Sequence, residues 1–133
     1  MKIALLGYGR MGQAIEKIAI GRGHTIVAKI DKNNQDEAYV ADVAINFSVP
    51  MAAYDNITGA IHKKIPVVCG TTGWLDRLEE VETLCLQNHG AFLYASNFSL
   101  GVNLFFELNV KLAQMMQKQP LYTPSIEEIH HTH

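Results

Sequence analysis

The stretch Lys2-Ile3-Ala4-Leu5-Leu6-Gly7-Tyr8-Gly9-Arg10-Met11-Gly12 decides how the rest of the chain is read. Ile3 to Leu6 is a continuous apolar run that ends on glycine, the pattern of a strand buried on both faces of a parallel sheet. The spacing Gly7-x-Gly9-x-x-Gly12 then has three separable reasons: a tight turn out of the strand, room for backbone to approach a pyrophosphate, and close packing of the next helix on the sheet. That helix is marked by Met11, Ala14, Ile15, Ile18 and Ala19, spaced by three and four, and is stopped by Gly21 and Gly23. Its amino end offers unpaired N–H groups to phosphate. Thr25 to Ile30 reads as a second strand with Asp31 at its carboxyl end. Strand, glycine turn, helix, strand and terminal carboxylate together supply the context in which such a glycine pattern points to a dinucleotide.

Working outward, Val43 to Phe47 reads as a third strand, followed by Ser48 as a helix cap, Pro50 in the first turn and a helix over about 51–62. Pro66 begins a fourth strand, Val67-Val68-Cys69, since proline is tolerated at a strand's first residue. After the turn Gly70-Thr71-Thr72-Gly73, a helix is marked by Leu75, Leu78, Val81, Leu84 and Cys85, with acidic residues near its amino end where the dipole favours them. Ala91 to Tyr94 is the fifth strand. A long helix over about 102–117 carries Phe105, Phe106, Leu108, Leu112, Ala113 and Met116, and two of its faces need cover. Ile126 to Ile129 is a candidate start of another strand. Five strands alternating with helices on short connections predict a doubly wound parallel α/β sheet of Rossmann type, with helices on both faces and right-handed crossovers. The domain is expected over 1–120, with 121–133 as linker and the start of something further.

With 133 residues and an apolar fraction of 48%, one domain with a full core is expected. A net charge of −2 provides no basic footprint for nucleic acid. The two cysteines, Cys69 and Cys85, are too few for a disulfide framework or a metal site and read as buried thiols of a cytoplasmic protein. The apolar start is too short for a signal peptide, and no run is long enough for a membrane span.

In a parallel sheet the carboxyl ends of the strands share one edge, so the loops at 7–12, 70–73 and 95–99 should converge there. Asp31 suits hydrogen bonds from ribose hydroxyls and favours NADH. Lys32 beside it is able to offset a 2′-phosphate, which leaves NADPH open. Arg10 reads equally as a phosphate or adenine contact and as a solvated cation. Gly70, Thr71 and Thr72 offer backbone approach and hydroxyls but also make a competent structural turn, and Asn97 suits either a carboxamide or the fixing of its own loop. Phe47 and Phe98 read as walls or core, and Trp74 packs the helix start.

The combination Gly7-Tyr8-Gly9-Arg10-Met11-Gly12, Asn46-Phe47-Ser48-Val49-Pro50, Val68-Cys69-Gly70-Thr71-Thr72-Gly73, Ala95-Ser96-Asn97-Phe98-Ser99-Leu100-Gly101-Val102-Asn103 and Glu128-Ile129-His130-His131-Thr132-His133 resembles the 4-hydroxy-tetrahydrodipicolinate reductases. The resemblance spans essentially the whole chain. It implies NADH- or NADPH-dependent reduction of a small cyclic dicarboxylate in lysine and diaminopimelate biosynthesis. By position, it implies that Gly7 to Gly12, including Tyr8, Arg10 and Met11, form the phosphate loop and that Asp31 contacts the adenosine ribose. Phe47, Gly70, Thr71, Thr72, Asn97 and Phe98 then lie along the cofactor, His130 is the catalytic acid, and His131 binds substrate. An imidazole titrating near neutrality suits the proton that must accompany a hydride. The alternative of a metal held by His-His-x-His lacks an aspartate or cysteine partner at suitable spacing, and no metal is expected.

The resemblance also sets a limit. Members of that family are about twice as long, continue past the histidines with a lysine and Asp-Ala-Pro-Ser-Gly-Thr, and build a second, mixed α+β domain that holds substrate and makes a homotetramer. The chain is therefore expected to be a portion of such an enzyme, inactive alone, with the second domain absent from it. The short passage between Asp31 and Asp42 trims the adenosine side. A non-catalytic dinucleotide-binding module, or another dicarboxylate or amino acid dehydrogenase, stands as the alternative.

Overall fold

Five parallel strands make a single sheet in the computed structural model, which describes residues 1–31, 33–34, 38–127 and 129. In chain order the first part comprises β1 (Lys2–Leu6), α1 (Arg10–Gly21), β2 (Thr25–Ile30), β3 (Val43–Asn46), α2 (Pro50–His62), β4 (Val67–Cys69), a 3₁₀ turn at Leu75–Arg77, α3 (Leu78–Gln87) and β5 (Phe92–Tyr94). The strands lie in the order β2-β1-β3-β4-β5, and every pairing is parallel. The chain runs outward from β1 to β2, returns across β1, and then builds β3, β4 and β5 on the other side. The order thus reverses between β1 and β3, which is where open α/β sheets leave a crevice at the strands' carboxyl ends.

Strand alternation sorts the core into two layers. Ala4, Leu6, Ala28, Ile30, Ala44, Val67 and Cys69 face α2 and α3, where they meet Ala53, Ile57, Ala60, Ile61 and Val81. Ile3 and Leu5 face α1, with Ala19, Ile15, Ile26, Val43 and Ile45 around them. Helices therefore cover both faces, as the alternation of elements predicts. A register shift in β2 opposite Ile3 and Ala4 inserts Val27 as an extra residue. The shift places both Ile26 and Lys29 on the α1 side, because a bulge changes which residues share a face.

Several local expectations need correction. Gly12, Ile15 and Ala19 are what α1 turns inward, while Met11, Ala14 and Ile18 are exposed. The helix sits so close to the sheet at Gly12 that the contacting stripe is rotated from the one that large side chains alone mark out. Val49, not Ser48, is the N-cap of α2, and the Ser48 hydroxyl donates to the Val49 carbonyl oxygen at 3.3 Å. Trp74 is not merely a prop for a helix start. It is buried, lies edge-on to Phe92 and Tyr94, and donates its indole N–H to the Thr71 carbonyl at 2.7 Å. Ile126, Glu127 and Ile129 form no strand.

The described residues divide into two units, Met1–Ser96 and a second beginning at Asn97. The second unit contains α4 (Leu100–Met116), two residues longer at its start than periodicity indicates because Ser99 serves as its cap, its Oγ accepting the Val102 N–H at 3.5 Å. No residue of α4 is buried, and Leu104, Phe105, Phe106, Leu108 and Leu112 are all exposed.

Candidate functional site

Where the order reverses, the loops leaving β1 and β3 part. Gly7 turns the chain at φ +96°, a left-handed conformation that a side chain would strain, and donates its N–H to the Ile30 carbonyl at 2.7 Å. A Cβ there would also fall on the Phe47 carbonyl. A Cβ at Gly12 would fall on the carbonyl of Gly7, so the third glycine is what brings α1 against the turn. Gly9 is the N-cap of α1, and no side chain among the described residues caps it. Intrahelical bonding starts with the Gln13 N–H to the Gly9 carbonyl at 3.0 Å. The space in front of Gly9 is open. An uncapped helix start facing open space is the arrangement that receives an anion.

Gly7, Tyr8, Gly9, Ile30 and Asp31 form one wall of a crevice of about 250 Å³, and Phe47, Ser48, Val49, Ala52 and Asn56 form the other. Asp31 stands at its lip. Asn34 shapes that lip: its Oδ1 accepts the Asp31 N–H at 2.7 Å, and its Nδ2 donates to the Lys29 carbonyl at 2.9 Å. Nothing in the spacing marked Asn34, since a side-chain bond across a turn leaves no periodic trace. Lys32 lies outside the described residues, and Arg10 is exposed.

Tyr8 is held from below. Its hydroxyl donates to Glu16, whose carboxylate pairs with the Lys29 ammonium at 2.6 Å, and that ammonium lies 4.8 Å from the centre of the Tyr8 ring. The Lys29 ammonium, with the Tyr8 hydroxyl second, holds the Glu16 carboxyl below the usual carboxylate range, and Glu16 in turn raises Lys29. The cluster joins α1 to β2 beneath the glycine turn. Only the bulge at Val27 turns Lys29 toward it.

A second hollow of about 220 Å³ adjoins the first and is lined by Met11, Phe47, Ser48, Pro50, Gly70, Thr71 and Thr72. The Phe47 ring lies on Gly70, where any Cβ would overlap it. Thr72 is exposed, whereas Thr71 is buried with its hydroxyl engaged inward. That hydroxyl accepts the Ser48 N–H at 2.9 Å and donates to the Ser48 carbonyl at 3.2 Å.

Asn97 and Phe98 belong to the second unit. There the Asn97 Oδ1 accepts the Ser99 N–H at 2.8 Å, and the Asn103 amide donates to the carbonyls of Asn97 at 3.0 Å and Ser99 at 2.8 Å. Asn97 thus fixes its own loop, while Phe98 is exposed. His130 and His131 lie outside the described residues. Among the described residues no group of three or more histidine, cysteine or acidic side chains is placed to hold a metal, and no helix is long and apolar enough to cross a membrane.

The reversal of strand order, the glycine turn at an uncapped helix start and the carboxylate at the tip of β2 define a Rossmann-type α/β domain. The model of the dihydrodipicolinate reductase amino-terminal domain matches residues 1–98, and the chain belongs to that family. The 4-hydroxy-tetrahydrodipicolinate reductase of Christiangramia forsetii is 58% identical over 134 residues, covering 98% of this chain and 56% of the relative. That of Zymomonas mobilis is 34% identical over 149 residues, covering 100% and 55%. The chain spans about half the length of the curated relatives it matches. Among solved structures, a putative homoserine dehydrogenase from Archaeoglobus fulgidus superposes with a TM-score of 0.57 at 18% identity, covering 71% of this chain and 42% of that one. A hyperthermophilic archaeal homoserine dehydrogenase in complex with NADPH gives 0.52 at 16% identity, covering 70% and 43%. At such identities the likeness is one of fold.

Proposed function

We propose that this chain is the nucleotide-binding portion of an NAD(P)H-dependent reductase that converts 4-hydroxy-tetrahydrodipicolinate to tetrahydrodipicolinate in lysine and diaminopimelate biosynthesis. The observation that carries the proposal is the crevice at the β1/β3 reversal, with open space before Gly9 and Asp31 at its lip. In this reading residues 1–120 bind dinucleotide and 121–133 lead into the part that holds substrate and assembles a cytoplasmic homotetramer.

The residues fit the group they are asked to hold. Backbone N–H groups from Gly9 to Gly12 receive the pyrophosphate, Tyr8, Arg10 and Met11 flank it, and Asp31 accepts hydrogen bonds from the adenosine ribose. That carboxylate disfavours a 2′-phosphate, so NADH binds more tightly than NADPH unless Lys32 offsets the charge. Phe47 and Gly70 form the wall along the nicotinamide half, with Thr72 exposed beside them. Thr71 contributes by tying that wall together, because its hydroxyl is already engaged. The resemblance is what assigns Asn97 and Phe98 to the cofactor, and within their own unit the Asn97 Oδ1 accepts the Ser99 N–H. Bound nicotinamide would supply hydride to the conjugated carbon–nitrogen system left in the small cyclic dicarboxylate once its 4-hydroxyl has departed as water. His130 supplies the accompanying proton, and His131 binds the substrate.

Titration of the 133-residue chain with NADH and NADPH tests the reading. Both should bind, NADH more tightly, and replacing Asp31→Ser should narrow the difference by about tenfold. No heat or fluorescence change with either nucleotide would overturn it. The chain alone should not consume NADH in the presence of substrate, and turnover would overturn the division of labour between the two portions.

A further inference from the structure

Asn46 is fully buried at the end of β3, an unusual place for an amide unless every hydrogen bond is made. Its Nδ2 donates to the Thr71 Oγ1 and to the Cys69 Sγ, both at 3.3 Å, and its Oδ1 accepts from the Asn56 Nδ2 at 3.3 Å. Thr71 has one hydroxyl proton and two lone pairs. The proton goes to the Ser48 carbonyl, and the lone pairs accept the Ser48 N–H and the Asn46 amide. Its main-chain carbonyl accepts the Trp74 indole N–H. The network is thus satisfied at each of these atoms and rigid for that reason.

Its two ends differ in position. Asn56 lines the crevice that contains Gly9 and Asp31, whereas Thr71 lines the adjoining hollow beside Gly70 and Thr72. We infer that Asn46 is a positioning residue that sets the spacing between these two walls, so that a ligand spanning both is bound in one geometry. The inference rests on the dinucleotide reading above. The opposite wall, Gly7 with Asp31, is held by the Ile30 carbonyl and by Asn34 and does not depend on Asn46. A ligand confined to that side should be indifferent to the network, while one reaching across should not.

NADH reaches across and ADP-ribose lacks the nicotinamide end, so the ratio of their dissociation constants reads the effect. Asn46→Ala should weaken NADH about tenfold and ADP-ribose less than about twofold. Thr71→Val, which keeps the shape and removes the hydroxyl, should give the same split, and Thr71→Ser should restore the wild-type ratio. Partial unfolding would weaken both ligands alike and leave the ratio unmoved. Equal weakening of both ligands, or none, in Thr71→Val would overturn the role of Asn46, and this pair decides the matter if Asn46→Ala does not fold. Wild-type chain that binds neither ligand would instead overturn the dinucleotide reading itself.

Discussion

The turns after β1 and after β4 leave the same edge of the sheet, and they are built in opposite ways. The Gly7–Gly12 turn works by lacking side chains: two glycines admit neighbouring backbone and the third faces open space. The Gly70–Gly73 turn works by engaging one, since the Thr71 hydroxyl and carbonyl are both used within the protein. An empty turn offers its backbone to something outside. A tied turn offers a surface whose shape is decided by what lies behind it.

The contrast can be broken at either turn. Gly7→Ala forces a side chain into positive φ and onto the Phe47 carbonyl. Strain and overpacking together should remove about 3 kcal/mol of stability in a denaturant titration, and a change below about 1 kcal/mol would show that the turn can relax. Thr71→Val leaves the Ser48 N–H without its acceptor and the Asn46 amide with only the Cys69 Sγ. It should cost about 2 kcal/mol by the same measurement, with Thr71→Ser close to neutral.

The smallest effect concerns the support beneath the glycine turn. Glu16 has its carboxyl lowered by Lys29 and Tyr8, so the folded chain binds that proton less readily than the unfolded chain. The stabilisation is present above the ordinary carboxylate range and is lost as pH falls through the lower folded value. Lys29, raised by Glu16, contributes below the ordinary lysine range and loses that contribution as pH rises through the raised value. Lys29 is exposed and Glu16 half-buried at the surface, and solvent screening of the pair keeps the effect small. Midpoints of thermal unfolding followed from pH 7 to about pH 3 should fall less steeply in Glu16→Gln than in wild type. Identical slopes would remove the ion pair from any account of the turn.

How far the site could be read in advance follows the same division. Gly7, Gly9 and Asp31, which line the crevice where the strand order reverses, and Gly12, which brings α1 against the turn, are legible because glycine spacing and a strand-end carboxylate are local signals. Asn34, Asn46 and Asn56 are not, because nothing in an isolated asparagine distinguishes a loop residue from the centre of a buried network. On α1 the inward stripe is legible at Ile15 and Ala19 but not at Gly12, where contact is made by the lack of a side chain, while Met11, Ala14 and Ile18 are exposed.

Periodicity and glycine placement alone settled the alternation of strands and helices, the parallel sheet with helices on both faces, and the turn that opens the crevice, since those depend on conformations that neighbouring residues impose on one another. Which way Lys29 points, what the Thr71 hydroxyl holds, and that Asn46 joins two walls depended on a bulge and on contacts between residues up to 25 positions apart. Hydrogen bonds across that separation follow from how the strands stack side by side, and no local pattern records them.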